Sequence, residues 1–229
     1  MNRTEIIQEF VNKLNAKTYL EIGVQRGKNF YQIKAPNKIA VDPKFLIGWT
    51  RRLKNPSSII NSKFFEMTSN DFFDRKAEKV LKSRLIDVAF IDGLHTYEQS
   101  FKDFTYCAKF LSNDGVILFH DCNPGSVEAA ALVSSPEEKM KKYQGKNGEW
   151  NGDVWKTILH IRSNLPDWQA IVLDCDFGVG IAVRRKNYDL VKMTVDQIKE
   201  LDYSHLEKNR KTYLGLQSPE YLYEFLSSL

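Results

Sequence analysis

Cysteine is scarce in this chain and has no pairing pattern. Only Cys107, Cys122 and Cys175 occur among its 229 residues, an odd number, widely spaced and without a C-x-x-C. That excludes a disulfide framework and predicts a reducing, cytoplasmic compartment. Long apolar runs are also missing. None approaches the ~18 residues that a membrane-crossing helix needs. Met1-Asn2-Arg3-Thr4-Glu5 has no apolar h-region, so neither a membrane anchor nor a signal peptide is expected. Charge of one sign never accumulates. The net charge is +4, and the basic clusters Arg51-Arg52-Leu53-Lys54, Lys141-Lys142 and Arg184-Arg185-Lys186 are short. They read as solvated faces rather than a phosphate track, and no nucleic-acid partner is expected. Repeats and low-complexity tracts are lacking too. What remains is 42% hydrophobic and 27% charged, the balance of a soluble globule. The length fits one α/β domain with decorations over 1–229, with a core at about 15–186.

Apolar runs alternate with helical patterns through most of that length. Ile6, Ile7, Phe10, Val11 and Leu14 have helical spacing and predict an N-terminal helix over Thr4–Leu14, with Thr4 as N-cap. It would pack beside the sheet or cover a ligand pocket. Strands are expected at Thr18–Ile22, Lys38–Val41, Lys63–Glu66, Ile86–Asp92 and Val116–Phe119. Helices are expected from about Arg26 to Pro36, over Asp71–Lys82 behind the caps Thr68 and Ser69, and over Tyr97–Leu111. Asn113-Asp114-Gly115 reads as the turn before the fifth strand. The nearly continuous Ile86-Asp87-Val88-Ala89-Phe90-Ile91 suits a central parallel strand buried on both faces. Alternation of this kind implies a doubly wound, Rossmann-like parallel sheet with right-handed crossovers. Ligands in such sheets bind beyond the carboxyl ends of the strands. Gly23, Asp42, Asp92, His95, His120 and Asp121 all fall at those ends.

Pro136 to Gly152 is polar and loop-like, and closes on Trp150 and Trp155. Aromatic faces beside a loop suit an acceptor platform or lid. Trp155 reads as core on a helix over Asp153–Ser163; Trp150 fits either role. Trp168–Asp174 and Gly178–Val183 are joined by a short link and read as a hairpin. Beyond it, a helical extension over 190–229 carries patterns at Thr194–Leu201 and Tyr203–Leu214, and a start signal at Ser218-Pro219. These helices either pack on the domain or make a homodimer contact.

The chain is organised around Glu21-Ile22-Gly23-Val24-Gln25-Arg26-Gly27, which ends the first strand, and the acid Asp42, which ends the second roughly 20 residues on. Turn glycines let backbone approach a ligand, and a carboxylate there can accept from both ribose hydroxyls. This stretch resembles motif I of the class I S-adenosylmethionine-dependent methyltransferases, with Gln25 where a middle glycine often falls. A seven-stranded sheet whose last strand runs antiparallel is what the resemblance implies, and the C-terminal hairpin fits it. The resemblance further implies S-adenosylmethionine as cofactor. Gly23 and Gly27 would shape its methionine side, Glu21 would support that side, and Asp42 would hold the ribose. Met67, Thr68 and Ser69 would lie near the adenine, and Asp92 would be a cofactor-side acid.

Asp92-Gly93-Leu94-His95 together with His120-Asp121 carries the chemistry, and two readings stand. A divalent metal held by Asp92 and Asp121, with help from His95, His120 or Asn123, would lower the pKa of an acceptor hydroxyl and orient it. Without a metal, His95 takes the proton itself. The pattern is similar to that of metal-dependent O-methyltransferases of the catechol and macrolide-sugar kinds. That likeness implies Mg²⁺ at Asp92 and Asp121, His95 as general base, and a small-molecule acceptor hydroxyl on a sugar or natural product. Cys122 departs from it, standing where Asn is usual. A thiol is a poor Mg²⁺ ligand, and Asn123 is the nearest substitute. His120 reads as a buried histidine at a strand end. Two other classes remain: an NAD(P)-dependent oxidoreductase, against which the hairpin and Glu21 speak, and a non-catalytic cofactor-binding protein.

Overall fold

A strand of five residues buried along its whole length, β1 (Thr18–Ile22), pairs in parallel with β2 (Asn37–Asp42) on one side and β4 (Ile86–Ile91) on the other. A computed structural model of the chain describes residues 1–47, 61–132, 138 and 150–229. The basic clusters at 51–54 and 141–142, and all of the 136–152 loop but residues 138 and 150–152, lie outside the described residues. The strand order is β3 (Ser62–Glu66), β2, β1, β4, β5 (Leu111–Phe119), β7 (Val179–Arg184), β6 (Trp168–Leu173), β8 (Leu216–Gln217). This is the mostly parallel α/β sheet expected, with one strand more than the seven predicted.

The described residues form two units. The first comprises residues 1–93, 102–118 and 229. β3 (Ser62–Glu66) pairs in parallel with β2. β5 (Leu111–Phe119) begins earlier than expected: Asn113-Asp114-Gly115 belongs to the strand. The Ser112 hydroxyl donates to Asp87 Oδ1 at 2.9 Å, which ties this stretch to the start of β4. α1 (Arg3–Lys13) buries Ile6, Ile7, Phe10 and Val11, the face its periodicity predicts. Its cap is Asn2, not Thr4. The Asn2 side chain accepts from Glu5 N and the Glu5 carboxylate accepts from Asn2 N, a reciprocal capping box. Thr4 lies inside the helix and donates to Asn29 Oδ1 at 2.7 Å.

No helix follows β1. Residues 25–32 are turns, because Gly23, Gln25 and Gly27 hold φ of 85°, 44° and 65°, outside helical backbone. α2 starts at Ser69 behind Thr68, whose hydroxyl accepts from Asp71 N. It runs as Ser69–Phe72, a π segment Phe73–Ala77, and Glu78–Leu81. α3 spans Tyr97–Phe110.

The second unit comprises residues 94–101 and 119–228. β6 (Trp168–Leu173) and β7 (Val179–Arg184) form the antiparallel hairpin that the sequence predicts. α4 (Trp155–Asn164) buries Trp155, which is core. α5 (Val195–Glu200) is capped by Thr194, and α6 (Tyr203–Leu214) by Asp202. β8 (Leu216–Gln217) adds to β6 in parallel; two residues are too few to show a pattern in sequence. α7 (Tyr221–Ser227) starts later than its Ser-Pro signal: residues 219–220 form a turn, and Tyr221 N donates to Ser218 O.

Candidate active site

In the first unit the turn after β1 and the acid after β2 are joined directly. Asp42 Oδ2 accepts from Gln25 N at 2.7 Å, and Oδ1 accepts from Lys44 N at 2.7 Å. Two backbone donors thus fix the orientation of a buried carboxylate while leaving lone pairs for a ligand. Gly23 N donates to Val41 O, and Asp92 N to Ile22 O, each at 2.9 Å. A Cβ on Gly23 would stand 1.9 Å from Asp92 O, so only glycine lets the β1 and β4 ends approach this closely. At Gly27 a Cβ would meet the Tyr31 ring at 2.7 Å.

Glu21 is buried one step behind this turn. Its Oε2 accepts from the Tyr19 hydroxyl at 2.5 Å and from Asn29 Nδ2 at 3.1 Å. Burial pushes its carboxyl up to about 8, and pushes the Tyr19 phenol well up. Asn29, whose amide makes the second of these bonds, carried no motif signal. Asp92 directly follows β4 and pairs with Arg3 Nη1 at 3.0 Å. The N-terminal helix thereby reaches the carboxyl ends of the first unit's strands. Thr68 serves as the α2 cap and Ser69 is buried at the first turn.

The second unit gathers the candidate acid–base groups. His95 Nδ1 lies 2.5 Å from Trp150 O, an atom that only accepts, so Nδ1 carries the proton. That tautomer leaves the Nε2 lone pair as the basic site. Nε2 stands 3.3 Å from Asp121 Oδ2. His120 is buried, as read from the sequence, with Nδ1 2.9 Å from the same oxygen and Nε2 3.6 Å from Asp176 Oδ1. Asp121 Oδ1 accepts from Asn151 Nδ2 at 2.6 Å. Trp150 lays its ring on His95, with centroids 4.9 Å apart, and its Nε1 donates to Ala131 O. Asp153 Oδ1 accepts from Tyr97 N at 2.7 Å and so caps α3 from a distant segment; burial raises its carboxyl. Asn151 and Asp153 were missed because their partners are remote in sequence. The nearest local signal was Gly152, whose φ of 60° and place against His95 O demand glycine.

The two carboxylates named for a metal divide between the units, Asp92 in the first and Asp121 in the second. Each already meets protein donors. Arg3 takes Asp92; an amide and two imidazoles surround Asp121. Asn123 Oδ1 accepts from Arg210 Nη1 and its Nδ2 donates to Asp174 Oδ1. Cys122 is buried core.

Residues 20–122 match the profile of a methyltransferase domain, a span running from β1 just past the end of β5. A comparison with curated proteins gives no match. Among solved structures, a provisionally assigned O-methyltransferase from Klebsiella pneumoniae is similar at 12% identity, covering 80% of each chain, TM-score 0.57. The O-methyltransferase TomG of Streptomyces achromogenes, solved with S-adenosylmethionine, is similar at 13% identity over 80% of this chain and 79% of that one, TM-score 0.53. The Podospora anserina methyltransferase PaMTH1, solved with S-adenosylhomocysteine, is 16% identical over 80% and 78%, TM-score 0.52. At these identities the likeness establishes the fold alone. The domain match and the fold support an S-adenosylmethionine-dependent methyltransferase. Among the described residues no helix is long and apolar enough to cross a membrane.

Proposed function

We propose that the protein transfers a methyl group from S-adenosylmethionine to a hydroxyl of a small molecule, a sugar or another natural product. The observation that carries this reading is the Gln25 N to Asp42 Oδ2 hydrogen bond, which makes the glycine turn and the β2 acid one cradle. Asp42 would accept from the ribose hydroxyls. Gly23 and Gly27 would let backbone approach the methionine moiety, with Glu21 supporting them. Thr68 and Ser69, at the start of α2, would border the adenine, and Asp92 would close the cofactor side. S-adenosylmethionine supplies an activated methyl on a sulfonium.

The chain's own task is then to orient the acceptor and hold its proton. In this reading His95 Nε2 takes that proton, and the Asp121 carboxylate 3.3 Å away stabilises the imidazolium that forms. The tautomer of His95, whose Nδ1 proton is given to Trp150 O, supports base catalysis; metal assistance through Asp92 and Asp121 is the second reading. The acceptor class is also supported by TomG, which acts in tomaymycin synthesis. A reducing, cytoplasmic setting belongs to the same proposal, since the three cysteines are few, odd in number and widely spaced in the sequence.

Isothermal titration with S-adenosylmethionine, S-adenosylhomocysteine and NAD, each with and without Mg²⁺, tests the reading. Binding of both adenosyl ligands and not NAD is expected, with no dependence on Mg²⁺. Binding of NAD alone would move the protein to the oxidoreductases. Retained binding without turnover on any hydroxylated sugar or phenol would leave a cofactor-binding protein.

A further inference from the structure

Three non-glycine residues near the end of β5 hold left-handed backbone: Asp121 at φ 61°, Asp176 at 45° and Phe177 at 63°. Non-glycine residues hold this conformation where their surroundings fix it. The loop after β5 is zipped to the β6–β7 turn. Cys122 N donates to Gly178 O at 3.0 Å and Asn123 N to Phe177 O at 2.8 Å. A Cβ on Gly178 would lie 2.4 Å from Asn123 N, so this approach also requires glycine. The Asn123 side chain completes the tie, its Nδ2 donating to Asp174 Oδ1 at 2.8 Å.

The last clamp comes from the C-terminal extension. Arg210, on α6, donates through Nη1 to Asn123 Oδ1 and to Pro124 O, the latter at 2.9 Å. Its Nη2 donates to the Tyr203 hydroxyl at 3.3 Å, and its guanidinium sits 5.7 Å from that ring. We infer that Arg210 is a positioning residue: by gripping Asn123 and Pro124 it holds Asp121 in the left-handed conformation that aims its carboxylate at His95. Arg210 itself contacts neither His95 nor Asp121 in the hydrogen bonds described. The inference rests on the reading of His95 as base, and gives the C-terminal helices a part in that site.

A guanidinium suits this place for a physical reason. Nη1 reaches a side-chain oxygen and a backbone carbonyl while Nη2 reaches the Tyr203 hydroxyl, and the single nitrogen of an ammonium cannot span both arms of that fork. Arg210→Lys should therefore retain part of the effect and Arg210→Ala none.

The deciding experiment needs no ligand. The chain has four histidines, so side-chain ¹H–¹⁵N spectra of full-length protein can resolve each ring. In the wild type the His95 Nδ1 proton, given to Trp150 O, is expected to be protected. In Arg210→Ala the His95 and His120 signals shift or broaden while His160, buried against Phe101, stays put. Arg210→Lys and Tyr203→Phe give intermediate spectra. Lys208→Ala, exposed on the same helix, leaves them unchanged. In turnover, Arg210→Ala lowers kcat about 10- to 100-fold with S-adenosylmethionine affinity unchanged. Wild-type His95 and His120 signals in Arg210→Ala would overturn the inference. Should that variant not fold, unchanged signals in both Arg210→Lys and Tyr203→Phe would overturn it. A wild type that binds no S-adenosylmethionine would defeat the proposed function instead, and the spectra would still decide the role of Arg210.

Discussion

At Glu21 a carboxyl sits in a motif position yet is closed off from solvent, and its burial has a measurable consequence. Its value in the folded protein, about 8, lies above the usual 4.5. The folded state keeps a proton that the unfolded chain loses, so this group's contribution to stability is fully present below about 4.5 and is lost as pH rises toward about 8. Lys38, lowered to about 8 by burial, has the opposite sign: the folded state sheds a proton the unfolded chain keeps, and stability rises between about 8 and 10.5. Glu21→Gln should flatten the decline between pH 5 and pH 8 in thermal melts, each kcal/mol removed being worth roughly 2–4 °C at this size. Equal pH slopes in variant and wild type would place the ionisation elsewhere. Asp42→Ala should weaken S-adenosylmethionine binding about 10- to 100-fold by titration calorimetry, since a charge-assisted hydrogen bond is worth ~1.5–3 kcal/mol. His95→Ala should slow turnover by about 10²- to 10⁴-fold with cofactor affinity unchanged. An unaltered rate would remove His95 from the mechanism.

Among the elements, the start of α2 poses the sharpest question. Thr68 accepts from Asp71 N and its hydroxyl donates to Asp71 Oδ2 at 2.8 Å, so a capping role is fully occupied. Thr68→Ala should lower the melting temperature by the equivalent of about 1 kcal/mol. If the loop also borders the adenine, the same variant weakens S-adenosylmethionine binding; if it only caps, affinity stays at the wild-type value. Element type was readable wherever the pattern was long. β1, β4, α3, the β6–β7 hairpin and α6 stand within a residue or two of their expected places. It failed where one residue's conformation overrides periodicity. The helix expected after Gly23 is absent because its first residues hold positive φ. Thr4 lost the α1 cap because Asn2 and Glu5 satisfy each other. β8 became a strand only because β6 offers it an edge.

For the whole molecule, we propose that residues 1–229 act as a single domain. One cooperative transition in calorimetry is expected, and S-adenosylmethionine at about 100 times its Kd should raise stability by ~2.7 kcal/mol, roughly 5–10 °C. Two transitions, only one of them moved by the cofactor, would separate the two units.

The sequence by itself determined the alternation of strands and helices, the glycine turn with its acid, and the hairpin. Each is written in residues close together, where periodicity and turn chemistry act locally. The tertiary structure decided who stands beside whom. Arg3 reaches Asp92 across 89 positions, Trp150 meets His95 across 55, Asn151 meets Asp121 across 30, and Arg210 holds Asn123 across 87. A polar side chain buried by folding must find a partner, but which partner depends on how the chain returns to the same sheet edge. That return is set by the packing of all the elements together, and no short stretch of sequence carries it.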